Sequence, residues 1–412
     1  MSPSDAPSLD EARLPQGMAL TPLDPSFRDR PHDTLDALRA AAPVHVDSHF
    51  ERLFLTRMAD ARSVLNDRSL AVDPRKRREG GFMRRHFSGD DAEPSMLFQD
   101  DPDHKRLRGL VAQAFNQRAI EAMRPRIREV ATGLLDAVGD ATSFDLLDRY
   151  AGPLPTIVIA EMLGVDAADQ ASFKEWSDGL VHVFNPNPTA AQRERLQHGS
   201  MSLGQYFMNA VEQRRREPRN DLISALVAVE QAGDRLSVHE IVTTCNLLLV
   251  AGNMTTTDLI GNGVLALLEH PAELAKLRAQ PERINNAVEE MLRFDPPVSQ
   301  TGRIATGDKA VGACPVTAGD SITVSLLAVG RDPAVHADPH RFDIGRDDVG
   351  HLSFGGGVHF CLGALLARAE AQIGIGLLLE RFPGLALDPA RPPMRKAAPT
   401  FNGLEALWLR AQ

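Results

Sequence analysis

Cysteine is scarce in this chain of 412 residues, which contains three cysteines. Cys245, Cys314 and Cys361 are far apart and form no C-x-x-C pair. This spacing excludes a disulfide framework and a structural zinc site built on paired cysteines. Long apolar runs are also absent, so no segment approaches the length of a membrane-spanning helix.

An excess of basic charge is missing as well. The 45 Lys and Arg residues are outnumbered by 55 Asp and Glu residues, and the formal net charge is -10. This balance argues against a nucleic-acid partner. Residues 1–18 are polar and acidic and lack the apolar stretch of a secretion signal. We therefore expect a soluble, cytoplasmic protein that binds neither nucleic acid nor membrane.

Most of the chain shows helical periodicity. The patterns predict a small hairpin over 43–48 and 52–56, and further short strands around 321–329. Residues 75–103 have no sustained period and are interpreted as a long loop. The helices are predicted at 57–66, 103–115, 118–138, 148–163, 191–216, 219–231, 237–270, 284–294 and 361–382. We expect a mainly α protein with small β-sheets, forming one large domain over 1–412 in which 1–30 is an extended N-terminal segment.

The clearest predicted helix covers 237–270. Ser237 and Glu240 form an S-x-x-E capping box at its start, and Pro271 ends it. Its middle, VAGNMTTTDLIG (250–261), contains glycines and threonines, which weaken helices. Buried hydroxyl groups also need hydrogen-bond partners, so this composition requires a reason other than packing.

The most informative segment is HLSFGGGVHFCLGALLARAEAQIG (351–374). Its glycines permit tight turns, and Cys361 stands at the start of a predicted helix, where the dipole and free N–H groups lower a thiol pKa. Such a thiolate could ligate iron or act as a nucleophile. A buried structural cysteine is the simpler alternative. A phosphate-binding loop is excluded because neither glycine-rich phosphate motif is present.

The spacing F-x-x-G-x-H-x-C-x-G decides between these alternatives. It is matched by Phe354, Gly357, His359, Cys361 and Gly363, and here the chain resembles the cytochrome P450 family. The resemblance implies a haem b cofactor whose iron is ligated by Cys361. Thiolate donation to the iron favours O–O bond cleavage. Phe354 would pack near the sulfur, and His359 would meet a haem propionate.

Other family landmarks follow the same order along the chain. Glu290 and Arg293 in EEMLR, which alone would suggest a surface ion pair, resemble the family's buried Glu–Arg pair. The resemblance implies that Arg341 completes this structural cluster. His104, Arg108 and Arg303 resemble the residues that bind haem propionates.

The resemblance also suggests residues that line a substrate pocket. They fall in the loop before residue 103, in an access lid, after the 284–294 helix and near the carboxyl end: Met96, Leu97, Phe98, Val181, Phe184, Val298 and Phe401. Because these side chains are mostly apolar, we expect a small to medium hydrophobic or aromatic substrate.

The family pattern A/G-G-x-[D/E]-T aligns with the middle of the long helix, at Ala251, Gly252, Asn253, Met254 and Thr255. The resemblance implies that the glycine lets the backbone approach the haem and that the helix opens locally. Thr255 would hydrogen-bond dioxygen or a proton-relaying water. An acid next to the threonine normally helps to carry protons.

Met254 departs from this pattern, because a thioether cannot carry a proton. Three interpretations are open. The relay runs through Thr255, Thr256, Asn253 and water alone. The enzyme uses peroxide and needs little proton delivery. Or Met254 is an engineered replacement of Glu or Asp.

The expected function is a haem-thiolate monooxygenase that hydroxylates or O-dealkylates its substrate. Electrons would come from a separate ferredoxin and an NAD(P)H-dependent reductase, and the chain would be a monomer. The alternatives are a hydrogen-peroxide-driven peroxygenase and a non-catalytic haem-binding sensor or carrier.

Overall fold

The computed structural model of the chain describes residues 14–81, 84, 94–180, 188–231 and 236–411. In chain order its α-helices are α1 (Pro25–Asp29), α2 (Pro31–Ala41), α3 (Met58–Asn66), α4 (Asp103–Val111), α5 (Gln117–Val138), α6 (Pro153–Leu163), α7 (Gln170–Leu180), α8 (Ala190–Arg216), α9 (Leu222–Gln231), α10 (Val238–Glu269), α11 (Pro271–Ala279), α12 (Ile284–Phe294), α13 (Leu326–Val329) and α14 (Ala364–Arg381).

The strands are short and form small sheets. They are β1 (Val44–Asp47), β2 (Arg52–Leu55), β3 (Ser143–Asp145), β4 (Gln300–Ile304), β5 (Lys309–Val311), β6 (Cys314–Val316), β7 (Ser321–Ser325), β8 (Ala386–Leu387), β9 (Met394–Arg395), β10 (Leu404–Ala406) and β11 (Trp408–Arg410). The largest sheet has the order β1-β2-β7-β4, in which β2 and β7 are parallel. The predicted hairpin is confirmed, with Val44 opposite Leu55.

The core lies between long helices. Helix α10 packs against α6 and α14, and α5 packs against α6 and α14 as well. The side chains of α6 are mostly apolar, as expected for a helix largely enclosed by others. The mainly α fold class is confirmed. Among the described residues, no helix combines the length and the hydropathy needed to cross a membrane.

The capping-box prediction for α10 is confirmed in detail. The Ser237 side chain accepts from the Glu240 N–H at 3.1 Å, and the Glu240 carboxylate accepts from the Ser237 N–H at 2.8 Å. Pro271 ends this helix and also begins α11, because a proline fits the first position of a helix. The sequence predicted that Pro271 ends α10 but not that it begins α11.

Two predictions are wrong. The expected extended segment over 1–30 contains a 3-10 helix at Gly17–Leu20 and helix α1, which Asp24 caps. Both bury apolar side chains in a common cluster, so their packing outweighs the lack of periodicity. The strand expected through 329 ends at Ser325, whose hydroxyl caps the helical turn α13.

Candidate active site

Cys361 lies in a tight loop between a 3-10 turn (Gly357–His359) and α14. Its N–H donates to the Phe354 carbonyl oxygen at 2.8 Å, which closes the loop around the residue. Gly357 has a φ of 65°, and a Cβ there would lie 2.3 Å from the Leu65 carbonyl oxygen. Glycine is therefore required at that position. Residues 354–361 are called the cysteine loop below.

The surroundings of the Cys361 sulfur act on its charge in opposite directions. Burial raises the pKa of the thiol, while the Gly363 N–H, Arg108 and Arg368 favour the thiolate. The residue as a whole nevertheless retains accessible surface. The described residues hold no group of three or more His, Cys, Asp or Glu that could bind a metal. A metal at Cys361 would therefore have fewer than three protein ligands of these types among the described residues, which suits haem iron better than structural zinc.

Basic side chains converge on the cysteine loop from distant parts of the chain. The rings of His104 and His359 lie 4.0 Å apart between centroids. Arg108 and Arg303 each donate to a main-chain oxygen of the loop, at 2.6 and 3.1 Å. Every residue predicted to contact propionates is thus brought to one place.

The basic side chains of this cluster favour the binding of an anion. Burial, assisted by His104 and Arg303, lowers the pKa of His359 to about 4. Burial also lowers the pKa of Arg303 to about 10. In the described part of the chain neither Arg108 nor Arg303 makes a salt bridge. Since like charges close together are unfavourable, a bound dicarboxylate would relieve the repulsion. The residues present therefore fit the propionates of a haem.

The middle of α10 faces open space. Ala251 is exposed and residues 252–255 are half-buried, whereas 256–267 are buried. The predicted local opening of the helix is wrong, because α10 is continuous. The Thr255 hydroxyl donates to the Ala251 carbonyl oxygen at 2.7 Å, so the side chain finds its partner one turn back without breaking the helix.

The other residues around Thr255 point to different neighbours. Asn253 donates to the Ser177 hydroxyl of α7 at 3.4 Å. A Cβ on Gly252 would meet Ile159 of α6 at 3.6 Å, an ordinary contact. Met254 is half-buried. In the described part of the chain, the side chains of Asn253 and Thr255 therefore hydrogen-bond to different residues, Ser177 and Ala251.

Thr256 contacts an acid that the sequence reasoning missed. Its hydroxyl lies near the carboxyl group of Glu370 of α14, a residue that is 1% exposed, and favours the ionised form of this acid. Burial raises the pKa of Glu370 to about 8, so the group is protonated at neutral pH. Within the described residues its Oε1 atom has no hydrogen-bond partner. A lone glutamate on the apolar face of a predicted helix was the available signal.

The predicted substrate residues lie in two groups. Met96, Leu97 and Phe98 form a 3-10 turn against α10, with Met96 buried and the other two exposed. Val298 and Phe401 face each other in an antiparallel bridge. Val181 and Phe184 lie outside the described residues.

The predicted Glu–Arg pair is fully buried. Arg293 donates to both Glu290 oxygens at 2.7 and 2.8 Å, and each side chain is 0% exposed. The assignment of Arg341 to this cluster is wrong. Its side chain is exposed and pairs with Asp343, and only its carbonyl accepts from Arg293. The second guanidinium near Glu290, after that of Arg293, belongs to Arg346, at 3.5 Å.

A second ion cluster, also missed, supports the cysteine loop. Arg368 donates to both Glu289 oxygens at 2.6 and 2.8 Å, and His351 lies 3.2 Å from the same carboxylate. Burial alone would raise the pKa of Glu289, but these hydrogen bonds outweigh it and lower the pKa to about 2. Arg368 also stacks 4.5 Å above the Phe354 ring. This cluster therefore supports Phe354 at the start of the cysteine loop.

A helical protein with one open cysteine beside a basic cluster and an accessible long helix has the features of a thiolate-ligated haem protein. The family model for cytochrome P450 matches residues 49–401. The chain is 39% identical to the cytochrome P450 monooxygenase PikC of Streptomyces venezuelae, over 96% of this chain and 94% of that protein. It is 38% identical to the 6-deoxyerythronolide B hydroxylase of Saccharopolyspora erythraea, over 88% and 91% of the two chains.

Solved structures agree with this relationship. The crystal structure of P450BioI in complex with hexadec-9Z-enoic acid ligated acyl carrier protein has a TM-score of 0.86. It is 35% identical and covers 94% of this chain and 100% of its own. The chain belongs to the cytochrome P450 family. It is a monooxygenase of that family, whose cofactor is a haem with a cysteine thiolate on the iron.

Proposed function

We propose that Cys361 is the haem ligand of this monooxygenase and that its reaction is hydroxylation of a hydrophobic organic substrate. The observation that carries the proposal is the convergence of four basic side chains on the loop that holds Cys361, an exposed cysteine: His104, Arg108, Arg303 and His359. The relatives named as hydroxylases favour hydroxylation over O-dealkylation.

Bound haem would supply the oxygen-activating chemistry, for which thiolate ligation provides electron density. The chain's own contribution begins with the thiolate. Arg108, Arg368 and the Gly363 N–H all favour the ionised sulfur. His359 and Arg303 would bind the propionates through charge-assisted hydrogen bonds, which orient the cofactor.

Proton handling would fall to the threonine run and to Glu370. The Thr255 hydroxyl donates a hydrogen bond to the Ala251 carbonyl oxygen, so the hydroxyl oxygen is free to accept a hydrogen bond from water. Glu370 holds a proton at neutral pH and lies near Thr256, the residue that follows Thr255 in α10. The thioether of Met254 can neither hold nor donate a proton. We infer that Glu370 takes the place of the missing acid as a proton-holding group beside the threonine run.

The direct test is a carbon-monoxide difference spectrum of the reduced protein and of Cys361→Ala. The wild type should show the red-shifted band of thiolate-ligated haem, and the variant should lose it. A well-folded wild type that binds haem without this band would contradict the assignment of Cys361.

Electrons would come from a separate ferredoxin and its NAD(P)H-dependent reductase. Product formation with NADH, a ferredoxin and its reductase, compared with omission of each component, tests this source. Turnover that is unchanged without ferredoxin would contradict it.

A second candidate function is a peroxygenase, and Met254 is the observation that favours it. Met254→Glu would restore an acid to the helix. For a dioxygen-dependent enzyme, this change should increase the fraction of NADH that forms product. For a peroxygenase, it should lower the peroxide-driven rate, and wild-type protein should work at least as fast with hydrogen peroxide as with ferredoxin.

A further inference from the structure

The loop between β9 and β10, residues 396–403, is held from two sides. The side chain of Asn262 on α10 donates to the Asn402 carbonyl oxygen at 2.7 Å. The segment after α12 is joined to the loop by main-chain bonds, among them Asn402 N–H to the Pro297 carbonyl oxygen at 2.7 Å. This loop, called the 396–403 loop below, is therefore fixed both to the long helix and to the segment that contains Val298.

A buried ion pair adds a further link to α10. Lys396 donates to Asp258 Oδ1 at 2.7 Å, where the aspartate side chain is 0% and the lysine 20% exposed. Within the described residues the second carboxylate oxygen, Oδ2, has no hydrogen-bond partner. The carboxylate also touches the loop backbone, since a Cβ on Gly403 would lie 2.1 Å from its Cγ.

A buried ion pair joins two elements at a cost in desolvation free energy. Burial raises the pKa of Asp258 to about 6 even though Lys396 acts to lower it. The ionised carboxylate is thus less favourable in the folded protein than in water. A neutral or apolar pair of similar volume often serves structure equally well or better. The position of the pair is what suggests a role beyond stability.

Asp258 shares a face of α10 with the proposed oxygen-handling residue. Thr255, Asp258 and Asn262 are spaced i, i+3, i+7, which places them along one side of a helix. The 396–403 loop lies over the later part of this side and carries Phe401, which pairs with Val298. Both Phe401 and Val298 are substrate-pocket candidates.

We propose that the Asp258–Lys396 pair positions the 396–403 loop, and with it Phe401, relative to Thr255, and so helps to determine which bulky ligands the pocket accepts. Asp258 and Lys396 are then positioning residues that act through Phe401. The proposal rests on the proposed function, because it assumes that Phe401 lines the pocket above the haem.

The test compares a small and a bulky azole, both of which ligate haem iron. The probes are imidazole and econazole, the second of which is bound in the solved structure of CYP164A2 from Mycobacterium smegmatis. Dissociation constants are measured from the spectral shift for wild type, Asp258→Asn, Lys396→Met and the double variant. Lys396→Arg is the conservative variant. Lys276→Met removes a lysine from another ion pair, with Glu273, and is the matched control.

We expect each single variant to weaken econazole binding by roughly tenfold, the lower end of what one misplaced apolar contact costs in a pocket. Imidazole binding should not change. The double variant should lose no more than either single variant, because both changes remove the same link. Lys396→Arg should retain most of the wild-type affinity for econazole, and Lys276→Met should bind it as the wild type does.

Equal changes for both azoles, additive losses, or unchanged econazole binding in folded variants would overturn the proposal. Asp258→Asn preserves shape, so it keeps the test available if Lys396→Met fails to fold. If wild-type protein shows no azole shift at all, the haem assignment itself is wrong. That outcome is distinct from a failure of the positioning role.

Discussion

Glu370→Gln should remove a pH dependence from the stability of the protein. Burial raises the pKa of Glu370 from 4.5 to about 8. At about 1.4 kcal/mol per unit, this corresponds to roughly 5 kcal/mol. Because the folded state holds the proton more tightly, the stabilisation is complete below about pH 4.5 and is lost as the pH rises to 8.

The glutamine variant keeps the size and the hydrogen-bonding capacity of the protonated acid and cannot ionise. The difference in unfolding free energy, variant minus wild type, should therefore grow by about 1.4 kcal/mol per pH unit through this window and level off above pH 8. Urea unfolding from pH 5 to 9, followed by circular dichroism, measures it. Glu380→Gln changes an exposed glutamate of the same helix and is the control. Parallel pH profiles for wild type and Glu370→Gln would refute the reasoning.

The remaining predictions concern the buried Glu290–Arg293 pair and two residues that contact the cysteine loop. Glu290→Gln leaves the buried Arg293 without its counter-charge and should reduce the unfolding free energy by about 3–5 kcal/mol in urea titrations; a loss below 1 kcal/mol would show that the pair is not needed for stability. Arg303→Met should accelerate haem transfer to excess apomyoglobin by roughly tenfold or more, as the loss of a charge-assisted hydrogen bond predicts, and an unchanged rate would place the propionates elsewhere. Glu289→Gln should loosen Arg368 over Phe354 and shift part of the carbon-monoxide band to the form without thiolate, whereas an unchanged spectrum would make that cluster purely peripheral.

The features that the sequence predicted correctly are mostly local. The capping box of Ser237 and Glu240 predicts the start of α10, since its bonds join residues three apart. The i, i+3 spacing of Glu290 and Arg293 likewise allows one pair to form within α12. The spacing around Cys361 identified the family without any knowledge of distant contacts.

Tertiary structure decided the contacts between distant segments. Arg341 and Arg346 are only five positions apart in the sequence, and the path of the loop decides that the second one reaches Glu290. The pairing of Asp258 with Lys396 joins residues 138 positions apart. No periodicity encodes such a contact, because it depends on how helices and hairpins pack around a common core.

The same distinction applies to the chemistry of the threonine run. Its glycines and threonines predicted a weak helix. In the structure the Thr255 hydroxyl donates to the Ala251 carbonyl oxygen, so this side chain finds a partner without interrupting α10. Whether a carboxyl group is charged or neutral depends on its burial, and the pKa of Glu370 follows from the packing of α14 against α10. Sequence alone determined which cofactor chemistry the chain is built for. The tertiary structure determined which acids surround the site and in which protonation state they act.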